Sequence, residues 1–324
     1  MLAFSTRDDT DTEETGFREA LRAASREDGG ASIRPMSDVD LDRILELRTV
    51  VNWAADPRAF DLLRGIRDAR WAVAETPDGS LAGMVGAVPF GGIGILCHLA
   101  VHDDYRNLGL GARLSAWAIL YLRSRGASTV RLYSTRRAEK LYRSMGFRPA
   151  VQRTIYRLDE ASRNPLARQE ADGHHVGTML FGDLPEIYGV DHWTYGADRS
   201  ALIFATLRLH PGRGLVARDS AGRVKGYLIR GEAGHATGHA TRIGPFVASE
   251  PGVARLLLQN ALDGAEGAAI EVTVPGPGNG PAHALLKEFG FTGRRDRLRM
   301  DLGEKLCSCR SALTHYGTTP YLAT

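Results

Sequence analysis

The pattern of apolar and polar residues divides the chain from residue 32 onward into short strands and amphipathic helices. Alternating or short apolar runs predict strands, and apolar residues three or four positions apart predict helices. In the first half, the predicted strands are 32–34, 71–75, 81–89, 93–101, 129–134 and 151–158. The predicted helices there are 39–52, 57–66, 112–125 and 138–144, the last one closed by Gly146 as a C-cap.

The same order of elements recurs in the second half. GLVARDSAGRVKGYLIRG (214–231) mirrors WAVAETPDGSLAGMVGAV (71–88) as strand, turn and strand. Residues 243–262 then correspond to 96–120, and residues 270–291 correspond to 130–147 down to the closing Gly-Phe. A repeat of this length indicates two copies of one domain. The expected division is a flexible arm 1–30, domains at 31–158 and 177–303, a linker at 159–176 and a tail at 304–324.

Composition narrows the classes of function. The 324 residues carry a net charge of only +3, and the basic residues are spread along the chain, so we expect no nucleic-acid partner. The stretch GRRDRLR (293–299) is predicted to be a solvated strand face or strand end. Three cysteines (Cys97, Cys307, Cys309) cannot build a disulfide framework or a zinc site without histidines. We therefore expect reduced thiols, no metal and a cytoplasmic location.

One uncharged stretch is long enough to cross a bilayer, Leu81–Val101. Pro89 and the pair Gly91-Gly92 interrupt it, and β-branched residues stand on either side. It is predicted to form two buried strands joined by a turn, without membrane insertion.

A glycine-containing turn follows the strand at 93–101 and opens the next helix. It reads Arg106-Asn107-Leu108-Gly109-Leu110-Gly111-Ala112. Glycines let a ligand approach the backbone, and a helix start presents unpaired N–H groups and the positive end of its dipole. The turn is therefore suited to a pyrophosphate, although a turn without a ligand has the same spacing.

This turn resembles the Arg/Gln-x-x-Gly-x-Gly/Ala signature of the GNAT N-acyltransferase superfamily. AEKLYRSMGF (138–147) resembles a later motif of the same superfamily. The resemblance implies an α+β fold of two tandem GNAT-like domains, each with a mixed, mostly antiparallel central sheet flanked by helices. It also implies that acyl-CoA or coenzyme A binds as co-substrate in a splay between strands four and five.

On this resemblance, the pyrophosphate lies on the backbone of residues Arg106 to Ala112, and the pantetheine lies beside Leu99, Ala100 and Val101. The backbone near Leu99 and Ala100 polarises the thioester carbonyl. The second copy has SEPGVARL (249–256) where the first has its signature. We therefore expect one CoA site per chain.

Three residues are candidates for proton transfer. Tyr142 stands at the tyrosine position of the superfamily and is expected to act as the acid, with a core tyrosine as the alternative. His98 stands about where many members have a carboxylate base, although strand histidines are often structural. His192 is the rival base, expected in a loop with Asp191 and Trp193 as substrate contacts.

That loop is part of YGVDHWTYGADRS (188–200), which resembles a recurring C-terminal domain of bacterial tandem GNAT proteins. Asp198 is expected to anchor the local fold or to pair with Arg199. A histidine base suits an amine of pKa near 8, which costs about 1.4 kcal/mol to deprotonate at pH 7, against about 4.6 for a lysine-like amine. This favours an α-amine or an amino sugar as acceptor.

Small residues are frequent on the third and fourth strands: Gly83, Gly86, Ala87, Gly91, Gly92 and Gly94. They leave either an apolar slot for an acyl tail or room for close strand packing. In length and layout the chain resembles the N-acyltransferases of glycopeptide-antibiotic biosynthesis, of the teicoplanin type. That resemblance implies transfer of a long-chain fatty acyl group to the glucosamine of a glycopeptide pseudoaglycone.

Three alternatives stay open at this point. A mycothiol-synthase-like enzyme is expected to carry the intact signature in its second copy, whereas this chain carries it in the first. An aminoglycoside-type acetyltransferase would use acetyl-CoA. A non-catalytic acyl-CoA-binding module would bind the carrier without turnover.

Overall fold

The structure is a computed structural model, and the residues that it describes fall into eight ranges. They are residues 30–51, 53, 57–160, 173–235, 238–263, 269–276, 279–304 and 314–317. Nearly all of the predicted arm, as well as Cys307 and Cys309, lie outside the described residues.

The described part of the first half forms six strands and four α-helices in the predicted order. They are β1 (Ser32–Pro35), α1 (Leu41–Val50), α2 (Pro57–Arg64), β2 (Arg70–Glu75), β3 (Leu81–Phe90), β4 (Ile93–Val101), α3 (Leu110–Ser124), β5 (Thr129–Ser134), α4 (Glu139–Ser144) and β6 (Arg148–Leu158). Helix α3 begins at Leu110 rather than at residue 112, because Gly109 adopts a left-handed conformation (φ +79°) and serves as its N-cap. The uncharged stretch forms the hairpin β3–β4, as predicted.

The described part of the second half forms seven strands and four helices. They are β7 (His174–Thr178), α5 (Leu184–Tyr195), α6 (Ser200–Leu209), β8 (Gly214–Asp219), β9 (Val224–His235), β10 (Gly238–Ala248), α7 (Pro251–Asp263), β11 (Ala269–Pro275), α8 (Gly280–Glu288), β12 (Thr292–Gly303) and β13 (Thr314–Gly317). The series from β8 to α8 repeats the series from β2 to α4, so the predicted repeat is confirmed.

Three segments differ from the sequence predictions. Strand β7 begins inside the stretch predicted as a linker, and β13 lies inside the stretch predicted as a tail. The segment around His192 is helix α5 and not a loop. The helix forms because Leu184, Ile187 and Asp191 recur at helical spacing on its buried side, and Gly196 ends it at φ +81°.

One sheet runs through both halves, in the order β1-β2-β3-β4-β5-β12-β6-β11-β10-β9-β8-β7. Strands β6 and β12 lie where the two halves of the sheet meet. β12 pairs with β5 of the first half, and β6 pairs with β11 of the second half. The strand predicted to close the first domain, near 151–158, therefore has both of its partners, β11 and β12, in the second half.

Each half covers both faces of its part of the sheet. In the first half, α3 and α4 pack on one face with Leu96, Val130 and Leu132. The opposite face carries Ile95 and Cys97 and packs against α1, α2 and, from the second half, Leu202 of α6. Among the described residues, no helix is long and apolar enough to cross a membrane.

Candidate active site

Strand β4 carries a β-bulge at the point where the sheet opens. On β3 one residue separates Met84 from Gly86, whereas on β4 two residues, His98 and Leu99, separate their partners. His98 adopts a left-handed backbone conformation with φ +52°. Such a conformation is uncommon for a side chain other than glycine and costs on the order of 1 kcal/mol or more, so it marks a candidate functional position.

Beyond this bulge, β4 and β5 separate. The two strands pair in parallel only from Ile93 to Ile95, opposite Thr129 to Arg131. A cavity that is partly open to solvent lies between their diverging ends, where the empty space, open solvent included, is about 460 Å³. It is lined by Trp53, Leu96, Cys97, His98, Leu99, Leu132, Tyr133, Ser134, Thr135, Ala138, Tyr142 and Arg297.

The cavity is lined by residues from both faces of the sheet. Leu96, Leu132 and Tyr142 belong to the face that α3 and α4 cover. Cys97 belongs to the opposite face, and Trp53 packs there after α1. Two molecules that enter from opposite faces could therefore meet between β4 and β5.

The glycine turn leaves a row of backbone donors at one side of this opening. Asn107 and Gly109 have positive φ values of 67° and 79°. None of the N–H groups of residues 107–111 donates to a carbonyl among the described turn and loop hydrogen bonds, whereas Ala112 and Arg113 donate to Gly109. Unpaired N–H groups at the start of a 15-residue helix form a cradle for an anion such as a pyrophosphate. The turn is thus compatible with the coenzyme A role that the resemblance implies for residues 106–112.

The Arg106 side chain braces this turn. Its Nε donates to the Val101 carbonyl at 3.2 Å, and its guanidinium forms an ion pair with Asp103. Leu99, Ala100 and Val101 lie on β4 between the bulge and this turn, and Leu99 lines the cavity.

Tyr142 lies in the cavity wall and is 6% exposed. The Phe147 ring packs edge-on against the Tyr142 ring, with the two ring centroids 5.6 Å apart. Burial raises the pKa of the Tyr142 phenol, and nearby Arg297 opposes this rise. The phenol is therefore protonated at neutral pH and able to donate a proton.

His98 is buried in the same wall, among Trp53, Phe60 and Trp71. Its Nδ1 lies 2.9 Å from Nη1 of Arg48, which is itself buried under Trp53. A guanidinium can only donate, so Nδ1 accepts, and the proton of the neutral ring is on Nε2. This arrangement makes His98 a hydrogen-bond donor towards its surroundings, and its role as a base stays a prediction.

The structure adds Arg297, which the sequence analysis did not single out. Strand β12 bulges between Arg295 and Leu298, and Gln152 holds the bulge through the carbonyls of Asp296 (2.8 Å) and Arg297 (3.4 Å). The bulge lies directly before Leu298 pairs with Ser134, at the end of β5. Arg297 of the second half therefore reaches a cavity of the first half. Arg294 and Arg295 are exposed, so the predicted solvated face holds for only part of 293–299.

The other predicted site residues lie outside the cavity lining. Asp191 is buried, receives hydrogen bonds from the Arg199 guanidinium and is also bonded to the Tyr227 hydroxyl. His192 and Trp193 are exposed on α5, with Trp193 at 65%. Arg199 forms an ion pair with Asp191, and the pKa of Asp198 is lowered chiefly by its hydrogen bonds with Ser200.

Three of the glycines on β3 and β4, Gly83, Gly86 and Gly94, allow close packing and leave no room for a side chain. A Cβ at Gly83 would lie 2.8 Å from the Ala100 carbonyl oxygen and from Leu114. At Gly86 it would meet Trp71 at 2.8 Å, and at Gly94 it would meet Leu122 at 2.8 Å. Of the two roles that the sequence allows for these glycines, the structure supports close packing.

The second half repeats the opening of the first but fills it. Strand β10 also bulges, between Ile243 and Phe246, and pairs in parallel with β11 only from Ala240 to Ile243. Beyond this point, Phe246 to Ala248 pair with β13. The chain itself thus occupies the position that lies open in the first half.

Comparisons with known proteins agree with this geometry. Residues 67–149 match one acetyltransferase (GNAT) domain family, and residues 187–313 match a second. The chain consists of two GNAT acetyltransferase domains in tandem, in a mixed α/β fold. No curated protein sequence matches it significantly.

Solved structures share the fold at low sequence identity. A protein from Pyrococcus horikoshii is 20% identical with a TM-score of 0.73, over 91% of this chain and 96% of that one. A GCN5-related N-acetyltransferase from Sphaerobacter thermophilus is 19% identical with a TM-score of 0.62, over 86% and 98%. A tandem GNAT protein from the clavulanic acid biosynthesis pathway is 17% identical with a TM-score of 0.63, over 86% and 99%.

Proposed function

We propose that the chain is an acyl-CoA-dependent N-acyltransferase that acylates the amine of an amino sugar in a ternary complex. The observation that carries this proposal is the cavity between the diverging ends of β4 and β5, together with the unpaired N–H groups of residues 107–111 in the turn that follows β4. The N–H groups of the turn hold the pyrophosphate of acyl-CoA. The amine enters the cavity from the opposite face of the sheet.

The reaction needs a neutral amine, a polarised carbonyl and a proton for the leaving thiolate. The amine nitrogen forms a bond to the acyl carbon, the carbon–sulfur bond breaks with its electron pair on sulfur, and the amine releases one proton. Tyr142 stays protonated in the buried wall, hydrogen-bonds to the leaving thiolate and passes it a proton, and the proton that the amine releases returns to the phenol by way of solvent. The backbone at Leu99 and Ala100 is proposed to hydrogen-bond the carbonyl oxygen as negative charge develops.

Two histidines and a water molecule are candidates for the base that takes the amine proton. His98 lines the cavity, but its Nδ1 is engaged by Arg48. His192 lies on an exposed helix surface outside the cavity lining. A water molecule that passes the amine proton to solvent is compatible with an amine of pKa near 8, since such an amine is about one-tenth neutral at pH 7.

The finer hypothesis is transfer of a long-chain fatty acyl group to the glucosamine of a glycopeptide antibiotic. One fold relative, 17% identical with a TM-score of 0.63, contains a GCN5-related glucosamine N-acetyltransferase region in a fungal β-N-acetylglucosaminidase. This precedent supports an amino sugar as acceptor. Because Leu114, Trp71 and Leu122 fill the space at the glycines, a long tail would have to extend through the cavity past Trp53.

The test is mass spectrometry of the full-length protein with acyl-CoAs from two to twelve carbons and an amine panel. The panel contains glucosamine, a glycopeptide pseudoaglycone with an amino sugar, an aminoglycoside and a lysine peptide. An N-acylated amino sugar supports the proposal, and the preferred chain length decides between acetyl and fatty acyl groups. Coenzyme A binding without any acylated amine would indicate a binding module instead.

A further inference from the structure

Two aromatic side chains, Trp53 and Tyr133, line the cavity, one beside β4 and the other on β5. Trp53 follows α1, and its ring meets the ring of His98 on β4 at a centroid distance of 6.2 Å. Tyr133 comes directly after Leu132, whose side chain belongs to the face that α3 and α4 cover. Because side chains alternate along a strand, Tyr133 belongs to the opposite face, on which Trp53 also packs. Both residues are only partly buried.

Each of the two rings is held in place by a buried guanidinium. The Arg48 guanidinium lies over the Trp53 ring, 5.6 Å from its centroid, and the Trp53 backbone N–H donates to the Arg48 carbonyl at 2.7 Å. The Arg153 guanidinium lies over the Tyr133 ring at 4.2 Å. Both arginines are 3% exposed. A guanidinium over an aromatic ring is a favourable contact that strengthens away from water, so both rings are positioned before a ligand arrives.

The cavity lining around these rings suits a ligand with an apolar face and a polar edge. Ser134 and Thr135 follow Tyr133 in the lining and carry hydroxyl groups. A pyranose ring presents C–H groups on its faces and hydroxyl groups around its edge. The C–H groups bury apolar area against an aromatic ring, and a few polar groups then fix the orientation of the sugar. An open-chain amine has no such face, so the two aromatic rings discriminate between the two kinds of acceptor.

We propose that Trp53 and Tyr133 form an aromatic clamp that binds the sugar ring of the acceptor. The sugar ring packs on the parts of the two side chains that line the cavity, and its amine extends towards Tyr142. The two residues determine specificity for a cyclic amino sugar and take no part in proton transfer. This inference rests on the proposed function for its choice of substrate.

A matched pair of amines tests the aromatic clamp. Glucosamine and glucosaminitol, its open-chain reduction product, share one carbon skeleton and differ in the closure of the ring. Thiol release from acyl-CoA gives kcat and KM for each, with concentrations expressed as the neutral amine. The full-length variants are Trp53→Leu, Tyr133→Leu, Trp53→Phe and Tyr133→Phe. Trp117→Leu is the control, because Trp117 is also partly buried but stacks on Tyr121 outside the described cavity lining.

We expect wild type and Trp117→Leu to prefer glucosamine about 10- to 100-fold through KM, as two aromatic contacts imply. Each Leu variant is expected to raise KM for glucosamine about 3- to 10-fold, with KM for glucosaminitol and for acyl-CoA unchanged. The Phe variants keep an aromatic ring and are expected to retain the preference. Equal KM values for the two amines in wild type, or an equal rise for both amines in the Leu variants, would overturn the inference.

Binding without turnover separates the aromatic clamp from the proposed function. N-acetylglucosamine and N-acetylglucosaminitol are titrated into the CoA-saturated full-length protein. We expect only the closed ring to change the tryptophan fluorescence, and we expect Trp53→Phe to lose that change. This measurement also decides the outcome where a Leu variant does not fold. If no amine is acylated, the proposed function fails, whereas ring-selective binding of this kind still supports the clamp and its absence refutes it.

Discussion

Tyr142 is the residue whose surroundings bear most directly on the chemistry. Replacing it by Phe removes the proton donor but keeps the ring packed on Phe147. We expect kcat to fall about 10²- to 10³-fold, with little change in KM for acyl-CoA. Tyr121→Phe is the control, since its hydroxyl donates to the Asp68 carbonyl away from the cavity. Thiol-release kinetics measure both, and an unchanged kcat in Tyr142→Phe would assign this tyrosine to the core.

The pH dependence follows from the direction of the same shift. Burial raises the pKa of Tyr142 above its ordinary value near 10, so the phenol is the protonated acid below that pH. We expect no descending limb in kcat from this residue between pH 6 and 9. Stability depends on the same proton only above about pH 10, where the unfolded chain releases it first and the folded state loses stability. A limb near pH 8 that vanishes in Tyr142→Phe would contradict this.

Asp191 and His192 are neighbours in sequence, but we expect their substitution to have very different effects on stability. The side chains of Asp191 and Arg199 are each 1% exposed and form an ion pair, so Asp191→Ala removes a carboxylate partner from a buried guanidinium. We expect it to lower the free energy of unfolding by about 3–5 kcal/mol. His192→Ala changes an exposed position and is expected to stay within about 0.5 kcal/mol. Urea unfolding measures both, and a large kinetic effect of His192→Ala at unchanged stability would restore that residue as the base.

At the level of single elements, the sequence was informative where local signals are strong. Gly109 and the apolar stripe of α3 indicated the turn and the helix, and Pro89 with Gly91-Gly92 indicated the β3–β4 hairpin. The bulges in β4 and β12 carry no such local signal. His98 holds a conformation typical of glycine, and Arg297 owes its direction to pairing with β5 and β6, which lie far away along the chain.

The helix that contains His192 illustrates the same limit. Its aromatic and glycine residues suggested a loop, yet burial of Leu184, Ile187 and Asp191 against the second half outweighs those weak local preferences. A sequence pattern that mixes Tyr, Trp and Gly gives little periodic signal. Tertiary packing therefore decided the element, and it buries Asp191 in an ion pair with Arg199.

The pairing of β13 leads to a prediction of how many CoA molecules each chain binds. This strand pairs with Phe246 to Ala248, where the first half leaves its opening free. The second half also begins α7 at Pro251 after Glu250, whose negative charge is unsuited to a phosphate. We expect calorimetry to find one CoA per chain, both in the full-length protein and after truncation at Glu304. Two equivalents in either protein would show that the second half binds a carrier as well.

For the whole molecule, β6 of the first half pairs with β11 of the second, and β12 of the second half pairs with β5 of the first. This exchange of strands joins the two halves in one sheet. Met300 and Leu302 of β12 are buried in the core of the first half, and Tyr156 and Leu158 of β6 are buried in the core of the second. The repeat in the sequence revealed two domains, but it could not reveal which sheet each last strand joins. Either pairing keeps the same alternation of buried and exposed residues, so only the complete structure distinguishes them.

This exchange predicts that the halves depend on each other. A fragment of residues 1–160 lacks β12, which leaves β5 as an edge and exposes the contacts of Met300 and Leu302. Each such side chain contributes about 1.5–3 kcal/mol, a large share of a stability of about 5–15 kcal/mol. We expect this fragment to be insoluble or inactive alone and to regain activity when co-expressed with residues 173–324. A protease site placed between residues 161 and 172 is the control, because cleavage there leaves every strand pair among the described residues intact and activity should persist. An active, soluble fragment 1–160 would show that neither β12 nor Arg297 is needed, and the acceptor site would then have to lie within the first half alone.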